Sequence, residues 1–285
     1  MKNPFKPAAE QAIRCKLFVY GATGVGKTRL ALGFPAPAVA DFERGSAPYA
    51  GRHVFDVLPV TGLAEADAAL SFLATGQHQY KTFVIDPITV LNEMILFTCN
   101  KAGVERLSFQ DWDRIKLKLK KFMLRLLALD LNIVCTAREK ALYTEGETMR
   151  KIGTTWDGDK SLASYFDTVA HLVTREDGTR ITVIEKDRWE RLNQREIPTD
   201  FAVIREAFGS ALERPANAVD LDAAERTVNG NAAIAPPAPA PAPPQTPLRR
   251  FYAAAKLHGL QRADVLALFA DELQYPDLHE KDGKL

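Results

Sequence analysis

The chain has 285 residues, 46% hydrophobic and 26% charged, enough to bury one sizeable core and still leave a small second unit. Its 37 Lys and Arg against 36 Asp and Glu give a net charge of +1, which excludes a global basic field and confines any nucleic-acid site to a local cluster. The 3 cysteines, Cys15, Cys99 and Cys135, lack paired spacing, which argues against a disulfide framework or a zinc site and fits a reduced cytoplasm.

No run reaches the roughly 18 apolar residues of a membrane span, and the segment MKNPFKPAAEQAIR has no apolar signal core, so no membrane partner is expected. From residue 16 to 213, short apolar runs alternate with helical stretches, the pattern of an α/β fold with helices around a mostly parallel sheet. The expected strands are Lys16–Tyr20, Ala38–Phe42, His53–Pro59, Thr82–Asp86, Asn132–Ala137, Thr168–Thr174 and Arg180–Glu185. The turn Glu176-Asp177-Gly178-Thr179 makes the last two an antiparallel hairpin at the sheet edge.

The first strand runs directly into Gly21-Ala22-Thr23-Gly24-Val25-Gly26-Lys27-Thr28, and a helix starts at Thr28. Strand, glycine loop and helix together make a phosphate-binding loop. Its glycines let successive N–H groups curl around phosphates, Lys27 reaches the β- and γ-phosphates, and the Thr28 hydroxyl holds Mg²⁺. The expected cofactors are therefore ATP and Mg²⁺.

Such a site needs a second metal carboxylate, expected on a buried strand next to the first, and Thr82-Phe83-Val84-Ile85-Asp86 ends in one. Asp86 is also placed to cap the following helix, since Pro87 comes next. In AAA-type ATPases the water-activating Glu directly follows the metal Asp; Pro87 occupies that position, so the base comes from elsewhere. The segment Asp41-Phe42-Glu43 offers Glu43.

Here the chain resembles RecA-type recombinases, which carry their catalytic Glu at the end of this strand. A second resemblance is Lys186-Asp187-Arg188: RecA-like filaments and hexameric helicases such as DnaB end a late strand with a basic-x-basic pair. The resemblance implies that Lys186 and Arg188 reach the γ-phosphate of a neighbouring subunit, with ATP bound between self-associated copies. In the place of the RecA γ-phosphate-sensing Gln, this chain offers Thr136, Arg138 or Glu139.

The set is similar to the Sak-type single-strand annealing ATPases of bacteriophages, over roughly residues 14 to 210. That likeness implies a RecA-like P-loop core, a cytoplasmic location in a bacterial host, and single-stranded DNA as partner. In RecA the loop after the Asn132–Ala137 strand grips DNA. Here it supplies the cations Arg138, Lys140, Arg150 and Lys151, with Tyr143 and Trp156 as stacking platforms. A mobile surface loop or hairpin with Trp156 packed on the core is the competing reading.

The segment Trp112–Leu129 reads as a core-facing helix whose Lys116, Lys118, Lys120, Lys121 and Arg125 line a solvated face. The RecA-like core is expected over 1–213, followed by an Ala/Pro-rich linker over 214–247 and a small helical appendage over 248–285. The appendage suits docking to a single-strand-binding protein or another partner. Two other classes use the same phosphate loop: a P-loop nucleotide kinase, and an ATP-controlled assembly switch or loader.

Overall fold

The computed structural model describes residues 13–99, 107–143, 150–192 and 196–226. All belong to a unit spanning Met1–Asn229; the second unit, Gly230–Leu285, and with it the expected appendage, lies outside the described residues. Within them, no helix is long and apolar enough to cross a membrane.

The chain runs β1 (Lys16–Gly21), α1 (Lys27–Leu32), β2 (Pro37–Asp41), β3 (Asp56–Pro59), α2 (Leu63–Ala74), β4 (Thr82–Asp86), α3 (Ile88–Cys99), α4 (Phe109–Ala128), β5 (Asn132–Tyr143) and β6 (Lys151–Trp156). It continues through α5 (Leu162–Tyr165), β7 (Thr168–Thr174), β8 (Arg180–Asp187), β9 (Glu196–Pro198), α6 (Phe201–Phe208) and α7 (Leu221–Arg226). The strands form one mixed sheet in the order β3-β2-β4-β5-β1-β7-β8-β9, with β6 paired to β5. From β3 to β7 every neighbouring pair along that order is parallel; β7–β8, β8–β9 and β5–β6 are antiparallel. The α/β class with an antiparallel edge is therefore the observed architecture.

The central strands are nearly continuous apolar runs because both of their faces are covered. Side chains alternate across β1: Phe18 and Tyr20 enter the core under α2, α3, α4 and α7, whereas Leu17 and Val19 enter the one under α1 and α6. The helix α4 has a Ser108 side-chain cap and buries Ile115, Leu119, Phe122, Met123 and Leu126, which places its lysines outward as expected. Arg125 of that helix is bound to Asp67 on α2 at 2.7 Å.

Three features depart from expectation. First, β4 does not adjoin β1; β5 lies between them. The first six residues of β5, Asn132–Ala137, are all buried, and such a strand takes the central slot, where both edges as well as both faces are protected. Second, β5 does not end at Ala137 but runs on to Tyr143 and turns back as β6, which is the hairpin of the competing reading. Third, the folded unit continues past residue 213. The carbonyls of Arg214 and Pro215 accept from Arg14 at 2.8 and 2.6 Å, Asn217 bonds Asp130, and Leu221 of α7 is buried.

Asn132 secures the base of the sheet. Its amide donates to Lys81 O and Leu212 O at 3.0 and 2.9 Å and accepts from the Cys15 N–H at 3.1 Å, so one buried side chain joins β1, the entry to β4 and the segment after α6. Asn132→Leu leaves the Cys15 N–H and the Leu212 carbonyl without this partner, while Lys81 O keeps the backbone N–H of residue 132 at 3.0 Å; each unsatisfied group costs roughly 1–3 kcal/mol. Chemical denaturation is expected to show a loss of at least about 2 kcal/mol, with no change in the denaturant dependence of the unfolding free energy.

Candidate functional site

The parallel strands deliver their carboxyl ends to one edge of the sheet, the usual location for ligands in open α/β folds. Register puts Gly21 opposite Arg138 and Asp41 opposite Asp86, so the ends of β1, β5, β4 and β2 form a continuous rim. Gly21 opens the loop beside β7, where a Cβ would sit 2.4 Å from the Leu172 carbonyl oxygen; only glycine fits. The loop from Ala22 to Gly24 is exposed, while Val25 is buried under it as an anchor.

Lys27 curls back over the loop and donates to Gly21 O and Ala22 O, each at 2.8 Å. Burial lowers its pKa, and the nearby Asp86, Glu139 and Glu43 carboxylates counter that shift. The Thr28 hydroxyl donates to Asp86 Oδ2 at 2.7 Å, and the Thr136 hydroxyl of β5 donates to Asp86 Oδ1. Asp86 is 7% exposed. Burial raises its pKa, and the bonds from Thr136 and Thr28 pull it back. A loop hydroxyl facing a buried carboxylate whose side-chain donors among the described residues are two hydroxyls is a donor set that suits a hard cation such as Mg²⁺, so the residues present fit that metal.

Asp41 and Glu43 divide two tasks. The Asp41 carboxylate is 2% exposed and accepts the N–H groups of Glu43, Gly45 and Ser46 at 3.1, 3.1 and 2.9 Å, together with the Ser46 hydroxyl. It shapes the loop that turns Glu43 outward to the rim. There Glu43 pairs with Arg138 of β5, and Arg138 also lies 3.8 Å from Glu93 of α3. The three residues offered for the RecA glutamine position thus have three partners: Thr136 holds Asp86, Arg138 holds Glu43, and Glu139 meets His171 Nε2 at 3.0 Å. His171 stacks on Tyr20 with centroids 4.3 Å apart, and the Tyr20 hydroxyl donates to Glu185.

The expected nucleic-acid residues separate into inner and outer groups. Trp156 is not a stacking platform: its ring packs edge-on against Phe18 and Tyr20, and its Nε1 donates to Asp159 O at 3.0 Å. Its place opposite Glu139 at the root of the β5–β6 hairpin directs it into the aromatic core. Lys140 is paired with Asp157 at 3.1 Å. Toward the hairpin tip, Tyr143, Arg150 and Lys151 are exposed.

Lys186 and Arg188 lie at the other end of the sheet. The strand β8 is antiparallel to β7, so Lys186 pairs with Val169 beside Phe18, roughly 10 Å back from Gly21 along β1. The Lys186 ammonium donates to Ala163 O at 3.1 Å and to Phe166 O, closing the end of α5, and Arg188 contacts Asp167 at 3.3 Å. Both are engaged within their own chain. The end of β8 that does reach the phosphate loop is its start, at Arg180. Sequence reasoning had the hairpin but did not count its register; doing so would have found this residue.

A glycine loop with Lys27 and Thr28 facing a buried Asp86 at the carboxyl rim of a parallel sheet defines a P-loop nucleotide-hydrolase core. The family model described as an AAA domain matches residues 13–196, and the chain belongs to that family. None of the curated proteins matches it.

The raised Asp86 pKa yields a prediction about stability. A carboxylate whose folded pKa lies above its unfolded value destabilises the fold when ionised, and that penalty disappears as pH falls toward the ordinary carboxylate range. Asp86→Asn is therefore expected to raise the melting temperature of the nucleotide-free protein at pH 7 by roughly 2–4 °C, an advantage that vanishes near pH 4. Mg²⁺-dependent nucleotide binding is lost in the same variant. Calorimetry at the two pH values, with a nucleotide titration at pH 7, measures both effects.

Proposed function

We propose that the chain hydrolyses ATP with Mg²⁺ and uses that cycle to bind single-stranded DNA and promote the pairing of complementary strands. One observation carries this reading. The single strand β5 passes through the site, with Thr136 on Asp86 and Arg138 on Glu43, and continues into a hairpin whose tip exposes Leu142, Tyr143, Arg150 and Lys151. A tip with cations and an exposed aromatic suits a single strand, whose phosphates pair with Arg and Lys and whose bases stack.

In this reading the loop N–H groups and Lys27 bind the phosphates, and Thr28 and Asp86 hold the metal. Bound Mg²⁺ supplies charge neutralisation as negative charge shifts during phosphoryl transfer. Glu43 orients the attacking water and accepts its proton, a role its ion pair with Arg138 restrains. DNA phosphates compete for Arg138, which frees the carboxylate and makes hydrolysis depend on DNA.

Steady-state hydrolysis with and without single-stranded DNA tests the scheme. The wild type is stimulated by DNA, and Lys27→Ala loses hydrolysis under both conditions. Glu43→Gln lowers kcat by about 100-fold or more. Arg138→Ala raises the DNA-free rate several-fold and abolishes further stimulation. If single-stranded DNA neither stimulates hydrolysis nor binds in the presence of ATP, the DNA reading fails; transfer of phosphate to a nucleotide acceptor under those conditions would identify a kinase instead.

A further inference from the structure

The nucleotide site has two flanks, one on each side of β1. On the β5 side of β1 stand Asp86, Thr136, Arg138 and Glu43. On the other side β7 runs parallel to β1, with Leu172 opposite Gly21, and its hairpin with β8 stands at the loop end. That hairpin is tightly built: Arg175 N–H donates to Thr179 O at 2.8 Å, Gly178 N–H to Arg175 O at 2.9 Å, and Thr179 N–H to the Asp177 carboxylate at 2.8 Å. Its closing pair is Thr174 with Arg180.

From there the Arg180 side chain crosses to the phosphate loop. A Cβ built on Gly26 would meet Arg180 Nη1 at 3.7 Å, which is van der Waals contact distance. Gly26 precedes Lys27 and has φ +113°, so the guanidinium stands over the space that a side chain there would enter, beside the point where the loop enters α1. The hairpin's other arginine, Arg175, is neutralised by Glu196. Arg180 is exposed, and its guanidinium has no hydrogen bond or ion pair among the described residues. Two cations, Arg180 and Lys27, thus face one short loop, the Lys27 ammonium turned onto its carbonyls and the Arg180 guanidinium beside Gly26.

We propose that Arg180 contacts the phosphates of the nucleotide bound by its own chain, and that the β7–β8 hairpin clamps the site from the side opposite the metal carboxylate. The ligand is a nucleoside di- or triphosphate. Because the clamp lies away from Asp86 and Glu43, it holds the part of the nucleotide common to substrate and product. It therefore acts on affinity for ADP and ATP alike and only weakly on the chemical step. A planar guanidinium with five donors suits two phosphate oxygens at once, which lysine does not match. The proposal rests on nucleotide binding at the phosphate loop.

Equilibrium titration of the full chain with a fluorescent ADP and a non-hydrolysable ATP analogue, together with steady-state hydrolysis, tests it. Arg180→Ala is expected to weaken both ligands by roughly 10- to 100-fold and to raise KM in parallel, while kcat falls by less than about threefold. Arg180→Lys recovers only part of the affinity. If Arg180→Ala lowers the melting temperature, Arg180→Gln, which keeps the side-chain bulk, carries the same expectation. Wild-type affinity in a folded Arg180→Gln variant overturns the clamp and leaves the nucleotide site standing; a wild type that binds neither ligand overturns the nucleotide reading itself. The affinity is also independent of protein concentration. An Arg180-dependent gain on raising that concentration would place the arginine across an interface and overturn the same-chain assignment.

Discussion

The functional edge of this protein depends on one buried carboxylate. Asp86 closes β4, and with β5 between β4 and β1 its strand is not paired with the one that carries the phosphate loop. Two hydroxyls bridge the gap: Thr136 on the intervening strand and Thr28 in the first turn of α1. Three elements are thereby joined through a group that burial disfavours in its charged form. Hydroxyls satisfy its lone pairs without cancelling its charge, and Lys27, the nearest cation in the loop, is turned onto the loop's own carbonyls. The arrangement stores electrostatic cost where a divalent cation would release it, a trade of stability for function of the kind that active sites show.

The second acidic pair follows the opposite rule. Asp41 is more deeply buried than Asp86, yet it accepts three backbone N–H groups, those of Glu43, Gly45 and Ser46. Its charge is consumed by the fold. Two residues on, Glu43 has one strong partner, a guanidinium on another strand. A carboxylate fixed by backbone donors is unavailable for proton transfer, whereas one held by a single exposed ion pair is available whenever that pair opens. This separates structure from chemistry in a segment where the residue types alone look equivalent. It also supplies a carboxylate at the rim of an AAA domain in which Pro87, not Glu, follows Asp86.

Much of this was legible in the sequence, for reasons that also mark where legibility stopped. The strands β1, β4 and β7 stand out because they are short apolar runs bounded by loop residues, and the glycine spacing of the phosphate loop has few alternative explanations. The hairpin that contains β6 stands in the sequence only as an alternative to a surface loop, because Lys151–Trp156 has little apolar alternation and pairs with the far half of β5. Strand order was misjudged because it depends on which strand is buried on all sides, a property of the assembled sheet. Trp156 looked like a base-stacking residue because composition cannot tell an exposed ring from one wedged against Phe18 and Tyr20. Lys186 and Arg188 drew attention by spacing, but strand direction decides which end of a hairpin meets the loop, and β8 runs away from it.

Strand β5 also limits how a signal can travel between the hairpin and the site. It is hydrogen-bonded to β1 on one edge and β4 on the other, with Asn132 tied to three backbone groups at its base. A slip of one residue would break both ladders and turn every buried side chain to the wrong face. The strand cannot slide as a piston. Communication along it must instead run through side chains that change partners while the backbone stays fixed, and Arg138 is placed for that. It is the residue at which β5 emerges from the buried sheet, it faces Glu43 on one side and Glu93 on the other, and both pairs are exposed enough for an incoming anion to compete. Under the proposed function, a fixed strand with an exchangeable cation at its exit would couple the two ends by charge, with no large motion of the fold.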